Sequence, residues 1–310
     1  MFTIIYPGRS GPSKGRYLQL DERNIEESKK KFAEAQELLI NKDFRRSKQA
    51  FEDAIRLDPE NAHAHMGKAN ALFGMQELTK AMESLEKAVD IAPEDEEILD
   101  TYGAYLYNLA KFQTALDVTD KLLKLFPEKA EYWHKKGLVH DAMENNDKAV
   151  ECFEKAVTLD PADIVILKDL GTLLEKMQRF EAAVDAFARA SRLAPEEPFF
   201  LNCQGQLLGR LNRYEEALAI FDMTLKVSPG DEYAVNGRAA ALAMLGRFDD
   251  ALAMFDDLIR ENPENAFSWD GKSYVLKQMG RAEEAEKAQA EARRLWRKEE
   301  ENAPGTFGTA

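Results

Sequence analysis

Histidines, cysteines and paired carboxylates are the side chains through which this 310-residue chain could do chemistry, and their spacing argues against most of it. His63 and His65 lie two apart, so on a helix they point about 200° away from each other. His134 and His140 are six apart and also diverge. A zinc site built on one helix wants His at i and i+4, or a Cys-x2-Cys pair, and neither occurs. Cys152 and Cys203 stand 51 residues apart with no recognisable activating partner in sequence. Two cysteines are also too few for a disulfide framework, so they read as small, mostly buried side chains in a reducing compartment. Glu97 and Asp100, at i and i+3, could pose as the paired acids of glycoside chemistry. A solvated acidic face explains them more cheaply. With no phosphate-binding loop and no dinucleotide fingerprint either, the chain is expected to hold no catalytic residue, metal or cofactor.

The composition narrows the partner. At 45% hydrophobic and 32% charged residues, the chain is too apolar for disorder and too charged for a membrane protein. No run approaches the roughly 18 apolar residues of a membrane span. A formal charge of −14 opposes binding to a polyanion, so nucleic acid is not an expected partner. The opening Met-Phe-Thr-Ile-Ile-Tyr lacks the basic start and long apolar core of a signal peptide, which leaves the cytoplasm as the expected location. Residues 1–20 carry Arg9, Lys14 and Arg16 with no acid, and Gly8, Gly11 and Gly15 make them a poor helix candidate. They read as a basic tail.

The elements that must position any site are set by prolines. Pro59, Pro93, Pro127, Pro161, Pro195, Pro229 and Pro263 are each separated by 34 residues. Placing them at position 32 of a 34-residue frame starts repeats at 28, 62, 96, 130, 164, 198, 232 and 266. Position 8 is then always small (Ala35, Ala69, Gly103, Gly137, Gly171, Gly205, Ala239, Ser273). Position 20 is small as well, as in Ser47, Ala81, Ala183 and Ala285. Position 11 is leucine except at His140, and position 24 is Phe51, Phe153, Phe187, Phe221 and Phe255 in five repeats. Trp133 and Trp269 occupy position 4. Small residues at 8 and 20 let two antiparallel helices approach closely, while the larger ones fill the space around their crossing. Proline then stops the second helix, and Asn61, Asp95, Asp163, Asp231 and Asn265 are suited to cap the next one. Lys129 and Glu197 depart from that preference.

This pattern resembles the tetratricopeptide repeat: Trp-x2-Leu-Gly-x2-Tyr, then Ala-x3-Phe, then Pro. The resemblance spans residues 28–299 and implies an all-α, right-handed superhelical solenoid of helix pairs. The repeats are 28–61, 62–95, 96–129, 130–163, 164–197, 198–231, 232–265 and 266–299, the last ending in a polar capping helix. Residues 1–27 form the basic tail and lead-in, and 300–310 read as a disordered tail.

In this family, positions 2, 5, 9 and 12 of the first helix line the concave face. Repeat 2 places His63, Met66, Asn70 and Phe73 there. Repeats 3 and 4 supply an acidic patch of Glu97, Asp100, Glu131 and Asp141, beside Tyr107 and His134, which would attract a basic ligand. Repeats 6 to 8 supply an aromatic ladder (Phe199, Tyr233, Phe267) next to a polar one (Asn202, Asn236, Asp270). Three ring-plus-amide modules could grip an extended peptide, meeting about every third residue at the 8–10 Å spacing of packed helices. The resemblance therefore implies a non-catalytic scaffold or adaptor that binds a protein or peptide in its groove. A self-associating assembly factor, or the targeting subunit of an enzyme whose catalytic chain is separate, are the alternatives. The family's carboxylate clamp for heat-shock chaperone tails needs Lys at position 5 and Asn at position 9 of one repeat. Lys168 is followed by Thr172, and Asn70 is preceded by Met66, so that ligand is disfavoured.

Overall fold

The computed structural model describes residues 22–302, all of whose regular elements are α-helices. Residues 1–21 and 303–310, with most of the basic tail and of the C-terminal tail, lie outside the described residues. The chain divides into two compact units between Met143 and Glu144. The N-terminal unit holds α1 (Glu22–Ile40), α2 (Phe44–Leu57), α3 (Ala62–Gly74), α4 (Leu78–Ile91), α5 (Glu96–Asn108), α6 (Phe112–Leu125) and α7 (Ala130–Ala142). The C-terminal unit holds α8 (Asn146–Leu159), α9 (Ile164–Lys176), α10 (Phe180–Leu193), α11 (Pro198–Arg210), α12 (Tyr214–Val227), α13 (Glu232–Met244), α14 (Phe248–Glu261), α15 (Ala266–Gln278) and α16 (Ala282–Asn302). Within each unit every helix packs on its neighbours in sequence, as in a solenoid of helix pairs. Helix α1 starts six residues before position 1 of the frame, because Glu22–Glu27 is rich in good helix formers.

The small residues sit at the crossings. Ala35, Ser47, Ala69, Ala81, Ala183, Ala239 and Ala251 are fully buried. Where serine replaces alanine it bridges the two helices: Ser47 Oγ donates to the Ala35 carbonyl at 2.9 Å, and Ser273 Oγ to that of Ala285 at 3.0 Å. Among the position-24 phenylalanines, Phe221 is wedged between glycines on two sides. A Cβ added at Gly205, in the same repeat as Phe221, would stand 2.8 Å from its ring, and one at Gly237, in the next repeat, 2.3 Å. In repeats 2, 7 and 8 position 6 is glycine (Gly67, Gly237, Gly271), and there the backbone comes close to the phenylalanine of the preceding repeat.

Turns and caps repeat as well. Between the two helices of each repeat, position 15 is left-handed: Lys42, Gln76, Ala110, Glu144, Gln178, Asn212, Gly246 and Gly280. Bonds from Lys42 N to Leu39 O and from Asp43 N to Leu38 O make the first of these a Schellman closure. Between repeats, the side chains of Asn61, Asp95, Asp163, Asp231 and Asn265 accept from backbone N–H groups in the first turn of the next helix, at 2.8–3.1 Å. Lys129 and Glu197 make no such bond. The same joints are tied by position 4: Trp133 and Trp269 each donate Nε1–H to the carbonyl of the preceding proline at 2.9 Å. His65 makes the equivalent contact to Pro59 O at 3.1 Å.

Candidate functional site

In the N-terminal unit, the first helices open a cleft of about 420 Å³. Phe32, Gln36 and Leu39 reach it from positions 5, 9 and 12 of α1, and His63, Met66 and Asn70 from positions 2, 5 and 9 of α3. Glu97, at position 2 of α5, stands at one end. Phe51 lies beneath the cleft, fully buried, and Gly67 lets the next repeat close on it; a Cβ there would lie 2.3 Å from the ring. Behind the cleft, Tyr105 donates its hydroxyl to Asn70 Oδ1 at 2.8 Å and packs on Phe73 with ring centroids 4.5 Å apart. Burial pushes the Tyr105 pKa up to about 12, so it stays a donor. The α3 residues of this lining are those expected on the inner face of repeat 2, and the α1 residues fall at the same frame positions of repeat 1.

The acidic patch is partly neutralised from within. Lys135, at position 6, puts its ammonium 2.5 Å from Asp100 and 2.6 Å from Glu131. Burial works against its charge, yet hydrogen bonds to those two carboxylates hold its pKa above the ordinary value. Glu96 accepts from Lys129 and, at 2.5 Å, from Tyr132. The Lys129 bond first and the Tyr132 bond second hold the Glu96 carboxyl below its usual range. Glu97 instead faces an imidazole: His63 Nε2 lies 3.4 Å from it and 3.7 Å from Asp95. Asp141 lies near the end of α7, half-buried.

In the C-terminal unit the two ladders separate. The rings are open: Phe199 is 46% exposed, Tyr233 71% and Phe267 67%. Phe199 keeps edge contacts with Phe187 of the preceding repeat and with Phe200, and Phe267 with Trp296 of α16. The polar ladder is used inside the array. Asn202 is buried and donates to Asp231 Oδ1 at 3.0 Å, bracing the residue that caps α13. Its own Oδ1 is buried without a hydrogen-bond partner. Asn236 donates to Glu232 O at 2.9 Å and accepts from Ser268 Oγ at 3.1 Å, while Asp270 accepts from Gln289 at 3.1 Å. These three residues join helices rather than stand ready for a ligand.

Other chemistry finds little footing. Burial raises the Cys203 thiol to about 11, which leaves it protonated at neutral pH and a poor nucleophile. Among the described residues, no three His, Cys, Asp or Glu side chains come together as a metal-ligand set. Residues 11–15 spell Gly-Pro-Ser-Lys-Gly, the spacing of a hydrolase nucleophile elbow. That motif works on a strand-to-helix turn; it lies outside the described residues, and those hold no strand. No described helix is long and apolar enough to cross a membrane.

Family profiles described as "Tetratricopeptide repeat" match residues 32–96, 168–232, 204–266 and 130–163, together more than half of the chain. The chain belongs to the tetratricopeptide repeat family. Solved repeat proteins of similar fold include PilF of Pseudomonas aeruginosa. It is 20% identical over 68% of this chain and 96% of that one, at a TM-score of 0.55. PilW, a type IV pilus biogenesis factor, is 21% identical over 67% and 96%, at 0.54. YrrB, a tetratricopeptide protein with an unusual peptide-binding site, is 21% identical over 62% and 98%, at 0.50. At these identities the likeness is one of fold alone. No curated protein matches the chain. The tetratricopeptide repeat is typically a non-catalytic fold for protein interaction, and its members bind proteins or peptides.

Proposed function

We propose that this protein is a non-catalytic cytoplasmic scaffold that holds an extended segment of a partner protein. The observation that carries the reading is the row of open rings at position 2 of α11, α13 and α15. A soluble surface rarely leaves large apolar groups exposed in a regular series unless something covers them. Phe199, Tyr233 and Phe267 would anchor side chains of the bound segment, as aromatics do at the centre of interfaces. Asn202, Asn236 and Asp270 serve the same site indirectly, by fixing the helices that carry the rings. The patch of Glu97, Asp100, Glu131 and Asp141 is a weaker attractor than its four acids suggest, since Lys135 sits between two of them.

The test is affinity for a native partner recovered by cross-linking to the full chain. Replacing Tyr233→Ala together with Phe267→Ala should weaken it by about 100-fold, taking roughly 1.5 kcal/mol for each anchor and tenfold per 1.4 kcal/mol. Unchanged affinity in that double variant would falsify the reading.

A further inference from the structure

We propose that His65 is an acid-sensitive staple: its neutral ring fastens repeat 1 to repeat 2, and its protonation lets the α1–α2 pair open while the remaining repeats stay folded. The same junction is built at three places in the chain. In repeat 4, Trp133 donates Nε1–H to Pro127 O at 2.9 Å. Lys136, one turn on, stands 5.6 Å from a Trp133 ring centroid and bonds Asp120 of repeat 3 at 2.7 Å. Repeat 8 holds the same set: Trp269 donates to Pro263 O at 2.9 Å, and Lys272 lies 5.6 Å from its ring and 2.5 Å from Asp256. In repeat 2 the members are His65, whose Nε2 lies 3.1 Å from Pro59 O, and Lys68, 3.0 Å from Glu52 of repeat 1. Each time they occupy positions 4 and 7 of one repeat and positions 25 and 32 of the repeat before it.

An indole is uncharged at every pH and attracts an ammonium to its face. An imidazole can stand in for it only while neutral, with its proton on Nε2 to reach Pro59 O. A second proton makes the ring a cation next to Lys68. His65 is half-buried, and burial is the first thing that disfavours its charged form. The bond to Pro59 O opposes this, Lys68 and Lys87 of α4 add repulsion, and Glu60 attracts. Glu52 of α2 is already engaged by Lys68, with Lys48 at 3.9 Å. The balance holds the His65 pKa below its ordinary 6.5. Once repeat 1 has opened, a solvated His65 titrates normally. Opening therefore takes up a proton between the lowered value and 6.5, and the open fraction can rise at most about tenfold from pH 7.5 to 5.5. The response stays local because α1 and α2 are held chiefly by α3, and the end repeat of a solenoid opens before its interior. His63, the other histidine of α3, turns to Asp95 and Glu97 on the repeat 3 side, so its proton acts at a different junction.

Hydrogen exchange of the full-length chain tests this, read by mass spectrometry on peptides from each repeat and corrected for the intrinsic effect of pH on exchange. Between pH 7.5 and 5.5, α1 and α2 should lose protection by about two- to tenfold, while α9 and α10 keep theirs. His65→Gln should remove that loss, because its amide can still donate to Pro59 O but does not titrate. His65→Trp, which copies repeats 4 and 8, should remove it too. Should His65→Trp prove unfolded by circular dichroism, the glutamine variant decides. The proposal is overturned by an unchanged α1–α2 protection at pH 5.5 in the unaltered chain, or by an equal loss in His65→Gln. A loss of the same size in α9 and α10 also overturns it, since the whole array would then be responding.

Discussion

Gly237→Ala pits two effects of known size against each other. In an exposed helix interior the change should stabilise by about 1 kcal/mol, because alanine loses less backbone entropy than glycine. Here the new Cβ would stand 2.3, 2.6 and 2.7 Å from three atoms of the Phe221 ring. Carbon atoms rest about 3.5–4.0 Å apart, so the ring would have to retreat by more than 1 Å. It is 3% exposed, and on its other face lies Gly205, where even an imagined Cβ is only 2.8 Å away. With no room to yield, the cost belongs at the upper end of overpacking, about 3 kcal/mol. The net expectation is a loss of about 2 kcal/mol. Gly209→Ala is the control, since nothing lies within 4 Å of its added Cβ, and should gain about 0.5 kcal/mol. Thermal unfolding followed by circular dichroism should show Gly237→Ala lower by about 4–8 °C and Gly209→Ala slightly higher. Adding Phe221→Leu to Gly237→Ala should recover part of the loss. If Gly237→Ala raised the melting temperature as the control does, the wedged-ring account of repeat stacking would be wrong.

Ala110 holds a left-handed backbone at φ 55°, a conformation that costs a non-glycine residue about 1–2 kcal/mol. Ala110→Gly should therefore raise denaturant stability by about 1 kcal/mol, matching the glycine that Gly246 and Gly280 already provide at this position. Burial, opposed by the bond to Pro59 O, leaves the His65 pKa below its ordinary 6.5. Between that lowered value and 6.5 the unfolded chain binds the proton and the folded one does not. Stability should thus fall as pH drops through this window, and be unaffected by His65 above it. Urea titrations at pH 7.5 and 5.5 should show a smaller pH effect in His65→Leu than in the unaltered chain; an equal effect would refute the assignment to His65.

The sequence by itself determined the repeat. Periodic prolines, small residues and capping Asn and Asp act within one helix pair or across one turn, so their consequences follow from spacing alone. The five capping side chains and the buried small residues fall where the 34-residue frame puts them. A ring at position 2 has no place in the hairpin core, but that Phe199, Tyr233 and Phe267 stand exposed rather than packed on the preceding repeat is seen only in the folded chain. What the neighbouring polar residues do was decided by tertiary structure. Asn202 and Asn236 look like ligand amides in sequence, but folding brings Asp231, the cap of the following helix, and Ser268 of the next repeat within hydrogen-bond reach, 29 and 32 residues away. Lys135 lies off the inner-face positions of the frame, yet its long stem carries its charge to Asp100, 35 residues earlier. The cleft likewise depends on how closely α1, α3 and α5 converge, and on the missing side chain of Gly67 over Phe51. Periodicity sets the face a residue occupies; the reach of side chains between repeats depends on helix separations of a few ångströms, which no single repeat encodes.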